Sequence, residues 1–432
     1  MKGRIIMTEL LFKNKSTLVF APTDSSKKQG YIVSSIIQND STSMIIVDNE
    51  TEFLSETCKN EIKDGVFWDV THEMKEDQGY KVAKLDFVDF KGWGFNPISF
   101  VKNDEDAQRL AHTISKNTLS DGKEDFFQDR ARTLLKNMIV YTKTNFSPEN
   151  ANFDSLISTY DKYISNEKIY MEWIEEQDQE DVGVQGLKSF FNSLTGKTRS
   201  SVTSSFDSII SLYRLEKIRE MTKKSDFEFE DFVNNKYALY IKIASPTNPY
   251  MGITSAFFTQ MFDAFFTIAR KSPISQLPIP VSFLLDQFSN IGVIKGYIET
   301  LTIGSKHLIN LITIVEDLNQ VKKGYGVEGF MSILTNHKDK MGFEDVECRM
   351  NKLELAQELL KHNSHSGLVA LLEKYISNLN SIEHNIYEFN DPDLEQLHNI
   401  ISELEKGELN ILGIQNPSSF LRAYFVKENN IF

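Results

Sequence analysis

Short runs of branched and aromatic residues, separated by polar turns, occupy the first hundred positions of the chain. Thr17–Phe20 (TLVF), Met44–Asp48 (MIIVD), Val66–Val70 (VFWDV) and Lys81–Phe87 (KVAKLDF) are each too short for a helix and rich in residues that suit a buried strand. Gly30–Gln38, between the first two, is long enough for a helix. That is a βαβ pattern, and it predicts a parallel sheet in an α/β fold.

From Asp104 the period becomes helical. Ala107, Leu110, Ala111 and Ile114 follow the i, i+3, i+4, i+7 spacing, and Phe126, Ala131, Leu134, Leu135, Met138 and Ile139 approximate a second apolar stripe. Further helices are predicted at Phe153–Ile164, Lys168–Glu176, Leu187–Leu194 and Val202–Tyr213, with no strand pattern until Tyr237. Strands return at Tyr237–Ile243 (YALYIKI), Pro280–Leu285 (PVSFLL) and His307–Val315 (HLINLITIV), with an apolar helix over Ser255–Ala269. Beyond Gly342 the chain reads as charged helices, Lys352–Leu360, Val369–Asn378 and Asp393–Lys406. The pattern divides into a first half-sheet (1–103), an all-α insertion (104–234), a second half-sheet (235–345) and a helical C-terminal region (346–432).

Composition narrows the classes. The chain has 432 residues, 41% hydrophobic and 25% charged, as in an ordinary globular protein. Its net charge of −14 argues against blanket nucleic-acid binding, which draws on Lys and Arg, but leaves room for a local basic patch. The densest basic stretch, Arg214–Lys224 (RLEKIREMTKK), alternates with acids and reads as a solvated helix face. Two cysteines, Cys58 and Cys348, are too few for a disulfide framework and fit a reducing compartment. His362, His365 and His384 stand among Ser and Asn, so no metal site is expected. Gln260 and Asp263 interrupt the most apolar window, which falls short of the ~20 residues of a bilayer crossing. With no signal-peptide pattern in MKGRIIMTELLFKNK, a soluble chain without its own anchor is expected.

Chemistry enters where a strand, a turn and a helix follow one another. After TLVF the chain reads Ala21-Pro22-Thr23-Asp24-Ser25-Ser26-Lys27-Lys28, and laid on G-x-x-x-x-G-K-[ST] only Lys27 survives. Ala21 and Ser26 carry a Cβ where glycines let amide groups close on phosphate oxygens. Lys28 has only donors and cannot hold Mg²⁺ as a Ser or Thr would, although its ammonium could replace part of the missing cation charge. Asp24 adds a negative charge where phosphates would lie. Gly196-Lys197-Thr198 also reads GKT, but no strand precedes it, so it is read as a helix start. Pro280–Asp286 is an apolar strand ending in an acid, the placement of a Walker B aspartate. The next position, where a glutamate polarises the attacking water, is Gln287. An amide can hold water but cannot take its proton, a loss on the order of 10²–10⁴ in the hydrolytic step.

The run Phe283-Leu284-Leu285-Asp286-Gln287-Phe288-Ser289-Asn290-Ile291-Gly292 resembles the Walker B signature, LLDEFxNIG, of the TraG/TraD-like coupling proteins of type IV secretion and bacterial conjugation. Phe95-Asn96-Pro97, the segment from Ala238 through Pro246 to FFTQMFDAFF, Asn319-Gln320 and Tyr325-Gly326 agree in the family's order, so the resemblance spans roughly residues 10–340. It implies a RecA-like P-loop NTPase-type sheet interrupted by an all-α domain. Carried over, Thr23, Ser25, Ser26, Lys27 and Lys28 form a degenerate nucleotide loop, Asp286 is the magnesium-orienting acid, and Gln287 takes the catalytic-glutamate position. Glu316 falls where the family has a γ-phosphate-sensing glutamine, a reciprocal exchange with Gln287 across the strand between them, and Lys306 stands near the family's arginine.

The resemblance therefore implies a coupling-protein relative with a degenerate ATPase site, acting in recruitment or transfer of DNA or protein. No cofactor is expected, ATP with Mg²⁺ being the exception. Implied partners are secretion or conjugation components, such as a membrane-bound coupling ATPase or a relaxase, with DNA and self-association as further options. The implied location is the cytoplasm, with a partner drawing the chain to the membrane's inner face. Two alternatives stay open: an active DNA-stimulated translocating ATPase using Glu316 as its acid, and a structural or regulatory adaptor using the C-terminal helices.

Overall fold

The computed structural model describes residues 16–20, 32–33, 35–49, 66–119, 126–194, 196–245 and 247–342. Thr23, Ser25, Ser26, Lys27 and Lys28, both cysteines, His362, His365, His384 and the predicted helices beyond Gly342 lie outside the described residues.

Among the described residues seven strands form one sheet: β1 (Thr17–Phe20), β2 (Ser43–Asn49), β3 (Lys81–Asp86), β4 (Tyr237–Ile243), β5 (Val281–Leu285), β6 (Ile309–Val315) and β7 (Asp339–Gly342). Their order is β3-β4-β2-β5-β6-β1-β7, and every neighbouring pair is parallel. Parallel strands are covered on both faces, and their side chains alternate between two cores. Leu18, Ile45, Val47, Leu239, Ile241, Phe283 and Leu311 enter the larger. Val19, Met44, Ile46, Tyr240, Leu284, Ile312 and Ile314 enter the smaller, with Ile32 and Ile36 from the helical segment after β1.

The run Val66–Val70 is not a strand, contrary to the pattern: it begins helix α1 (Val66–Asp77). The amide groups of Phe67 and Trp68 donate to the carboxylate of Asp48 at 2.7–3.0 Å, a negative cap on the helix N-terminus. Its buried stripe is Phe67, Thr71 and Lys75, at helical spacing but two-thirds polar, so hydrophobicity alone concealed the period.

Lys75 is fully buried. Its ammonium donates to the carbonyl of Asn39 and, at 2.8 Å, to Gln78 Oε1, and lies 4.5 Å from the centre of the Tyr80 ring. Burial lowers its pKa to about 8, Asp40 opposing and Lys236 assisting. Between pH 8 and the ordinary value of 10.5 the unfolded chain holds a proton that the folded one has released, so this group adds stability as pH rises. Urea unfolding of the wild type from pH 7.5 to 9.5 should show a gain of about 1–2 kcal/mol from this group that Lys75→Met lacks.

Between β3 and β4 the chain is helical, as the period predicted. The insertion begins with α2 (Asp104–Thr118), capped by Asn103, and α3 (Phe126–Asn145). It continues through Phe153–Thr159 with a π turn over Tyr160–Ile164, then Glu167–Glu176, α4 (Val182–Asn192) and α5 (Gly196–Ile210). The GKT run opens α5 and no strand precedes it. The basic stretch is ion-paired: Arg214 with Asp161 and Asp207, Arg219 with Asp154, Lys223 with Glu220 and Lys224 with Asp226.

Helix α6 (Met251–Lys271) is longer than its apolar window because Met251–Thr254 already pack at its start. Helix α7 (Leu318–Asn336) is kinked at Gly326, and it leads into β7, a strand the pattern did not predict. Among the described residues no helix is long and apolar enough to cross a membrane.

Candidate nucleotide site at the carboxyl edge of the sheet

In a parallel sheet all carboxyl ends open on one edge, which is where ligands of α/β folds bind. Phe20 at the end of β1 lies opposite Val315 of β6, and Thr313 of β6 lies opposite Leu285 of β5. Glu316 and Asp286 therefore leave the sheet from neighbouring strands, at the same edge as the end of β1. No strand intervenes in the sheet between Gln287 and Glu316, although one does along the chain, because β5 and β6 are neighbours. Asp286 and Gln287 are buried and Glu316 is half-buried. Asp286 and Glu316 continue the alternation of Leu284, Ile312 and Ile314, which points to the face of the smaller core.

A charged row runs on from them. The register pairs Asp48 with Lys242 and Lys242 with Asp86, and continuing Ile46↔Leu284 by two residues brings Asp48 level with Asp286. Buried Lys242 lies 3.4 Å from Asp89 and 4.0 Å from Asp86. Neither Asp48 nor Lys242 belongs to a recognisable motif along the chain. Each is a charge near the end of an apolar strand, but the pairing that aligns them is visible only in the sheet.

Gln287 has a left-handed backbone, φ 46°, where the chain turns from β5 into the short helix Phe288–Ile291. Its amide N–H donates to Asp286 Oδ1 at 3.0 Å, and its side-chain Oε1 accepts from Asn290 Nδ2 at 2.9 Å. The rest of the motif is clamped from three directions. Asn248 Nδ2 donates to the Asn290 carbonyl at 2.8 Å, and Thr254 of α6 donates to the Ile291 carbonyl at 2.7 Å. Asn117 of α2 accepts from Val293 N–H at 2.6 Å and donates to the Val293 carbonyl at 3.0 Å and to Ser255 at 2.9 Å. Tyr325 of α7 accepts from Ile294 N–H at 3.0 Å and stacks on Phe288 with ring centres 5.6 Å apart. Burial raises its hydroxyl pKa well above the ordinary tyrosine value, so it stays protonated. The Tyr-Gly pair of the sequence motif thus has a local role: Tyr325 holds the loop, and Gly326, at φ 73°, makes the kink beside it.

Lys306 is elsewhere. It is exposed in the 3-10 turn Gly304–His307, at the amino end of β6, the opposite edge from Asp286 and Glu316. Among the described residues no group of His, Cys, Asp and Glu has the arrangement of a metal site.

The family described as type IV secretory system conjugative DNA transfer matches residues 2–352. Among solved structures, the chain is similar to the plasmid coupling protein TrwB in complex with ADP and Mg²⁺, with a TM-score of 0.54 and 15% identity over 80% of this chain and 75% of that one. It is also similar to the unbound monoclinic form of the bacterial conjugative coupling protein TrwBdeltaN70, TM-score 0.53 and 15% identity, over 81% of this chain and 73% of that one. At such identity the likeness concerns the fold, that of a RecA-like P-loop NTPase. No curated protein matches the chain.

Proposed function

The chain belongs to the type IV secretory conjugative DNA-transfer family, and from that premise we propose that it is a coupling-protein relative whose nucleotide site no longer hydrolyses ATP. It would act in recruiting or handing over DNA or protein substrates. The observation that carries this reading is Gln287. At the position of the water-polarising acid stands an amide that cannot accept a proton, and its oxygen is already engaged by Asn290 within the loop. Asp286 suits a magnesium-orienting acid, but Ala21, Ser26 and Lys28 supply neither the glycines nor the hydroxyl with which a phosphate loop holds Mg²⁺ and a triphosphate. The residues therefore fit the scaffold of a nucleotide site better than its chemistry. The partners in this reading are other secretion or conjugation components, a relaxase or an active coupling ATPase, met through the helical insertion.

A working site saturated at a hundred times its Kd would gain about 2.7 kcal/mol of stability from Mg-ATP. The expected result is no thermal shift with millimolar Mg-ATP, no saturable heat in calorimetry, and background phosphate release with or without single-stranded DNA. Micromolar binding with turnover that Lys27→Ala abolishes would overturn the proposal. The adjacency of β5 and β6 favours one second reading, hydrolysis with Glu316 as the acid. On that reading phosphate release is present and Glu316→Gln removes it.

A further inference from the structure

A separate cavity of about 300 Å³ lies where the insertion meets the sheet domain, between α2, α6 and the segment around Phe229. Three residues of its lining carry a buried side-chain atom without a hydrogen-bond partner: Thr113 Oγ1, Gln260 Oε1 and Arg109 Nε. Thr113 is only 1% exposed, and its Oγ1 makes no hydrogen bond. Gln260 donates its Nε2 to the carbonyl of Pro97 at 2.8 Å. A carbonyl can only accept, so this bond fixes the amide's orientation and leaves Oε1 buried and unmatched. Such atoms are costly unless something donates to them.

The charges around the cavity point the same way. Arg109 donates a hydrogen bond to Asp106 at 2.9 Å and is ion-paired with Asp263 at 3.0 Å. Glu228, Glu230, Lys102 and Arg270 complete the charged lining, which holds four carboxylates and three cations, with Lys295 acting on Asp263 from outside it. Burial raises the pKa of Asp263 against the pull of Arg109, and burial with the neighbouring Glu230 and Asp231 raises that of Glu228. An added positive group would relieve both.

We propose that this cavity receives a guanidinium group, carried by an arginine of a polypeptide partner or by a small free molecule. A guanidinium supplies several N–H donors in a rigid fork, enough to satisfy Thr113 and Gln260 together while its charge offsets the carboxylate excess. An anion would meet the same carboxylates and bring no donor to either oxygen.

The test uses the full chain with three probes: acetyl-arginine amide, its uncharged isostere acetyl-citrulline amide, and agmatine, followed by calorimetry and ligand-observed NMR. The arginine amide is expected to bind saturably and at least ~10-fold more tightly than the citrulline amide. Glu228→Gln on the rim and the near-isosteric Thr113→Val are each expected to weaken it severalfold. Agmatine binding as well as the arginine amide assigns a small free molecule as the source; a preference for the amide assigns a peptide. Equal binding of arginine and citrulline amides, no saturation, or affinity unchanged in both variants overturns the proposal. Glu228→Gln, on the exposed rim, keeps the test decisive should Thr113→Val fail to fold.

Discussion

Replacing Phe257 with alanine should cost about 3–5 kcal/mol, the largest single-residue loss expected in the described fold. Phe257, fully buried on α6, has the rings of Phe87, Phe95, Phe227, Phe229 and Phe258 within 5.2–6.1 Å. These rings come from the end of β3, the turn into the insertion, the return from it and α6 itself. The cluster is therefore the joint between the two parts of the molecule. Interiors are close-packed and collapse only partly around a deletion, so removing a ring leaves a cavity as well as lost burial. Against a typical total of about 5–15 kcal/mol, such a loss approaches a third or more of the stability. Urea unfolding measures it, with Phe126→Ala as control. Phe126 is 60% exposed, so its truncation should stay within about 0.5 kcal/mol. A cost below about 1 kcal/mol for Phe257→Ala would show that the joint is not held by these rings.

Gly292→Ala should cost about 3 kcal/mol and loosen the loop after β5 without touching the sheet. Gly292 has φ 95° and ψ −178°, a region open essentially to glycine alone. A Cβ there would lie 2.6 Å from Asn117 Oδ1, the atom that accepts the Val293 amide. The methyl group thus displaces the clip by which the insertion's first helix holds the motif. Native-state hydrogen exchange should quicken at Val293 and Ile294 while the strand amides of β5 stay protected. In a double-mutant cycle, Asn117→Ala should add less to Gly292→Ala than it costs alone, because both remove the same contact. Full additivity, or unchanged exchange at Val293, would mean that Asn117 does not hold the loop.

The parallel sheet and the helical insertion were legible because their patterns repeat. Six of the seven proposed strands and the apolar stripes of α2, α3 and α6 stand where period 2 or 3.6 placed them. The exception, Val66–Val70, failed because its helix buries Thr71 and Lys75 as well as Phe67. Their burial is offset by hydrogen bonds that no local pattern announces, Thr71 with the Tyr240 hydroxyl of β4 and Lys75 with the Asn39 carbonyl before β2. β7 was missed because its four residues, Asp339–Gly342, carry almost no apolar signal and form a strand by pairing with β1.

Taken alone, the order of residues along the chain determined which chemical groups are available: an acid and then an amide after β5, and an acid after β6. Those are covalent facts, and no packing alters them. Only the tertiary structure decided that β6 stands between β1 and β5, bringing Asp286, Gln287 and Glu316 to the edge where β1 ends. It alone also aimed Asn117, Asn248, Thr254 and Tyr325, distant in sequence, at the same loop. The physical reason is that a side chain's identity is local, whereas its neighbours depend on strand register and helix packing. Those are settled by burial over the whole chain.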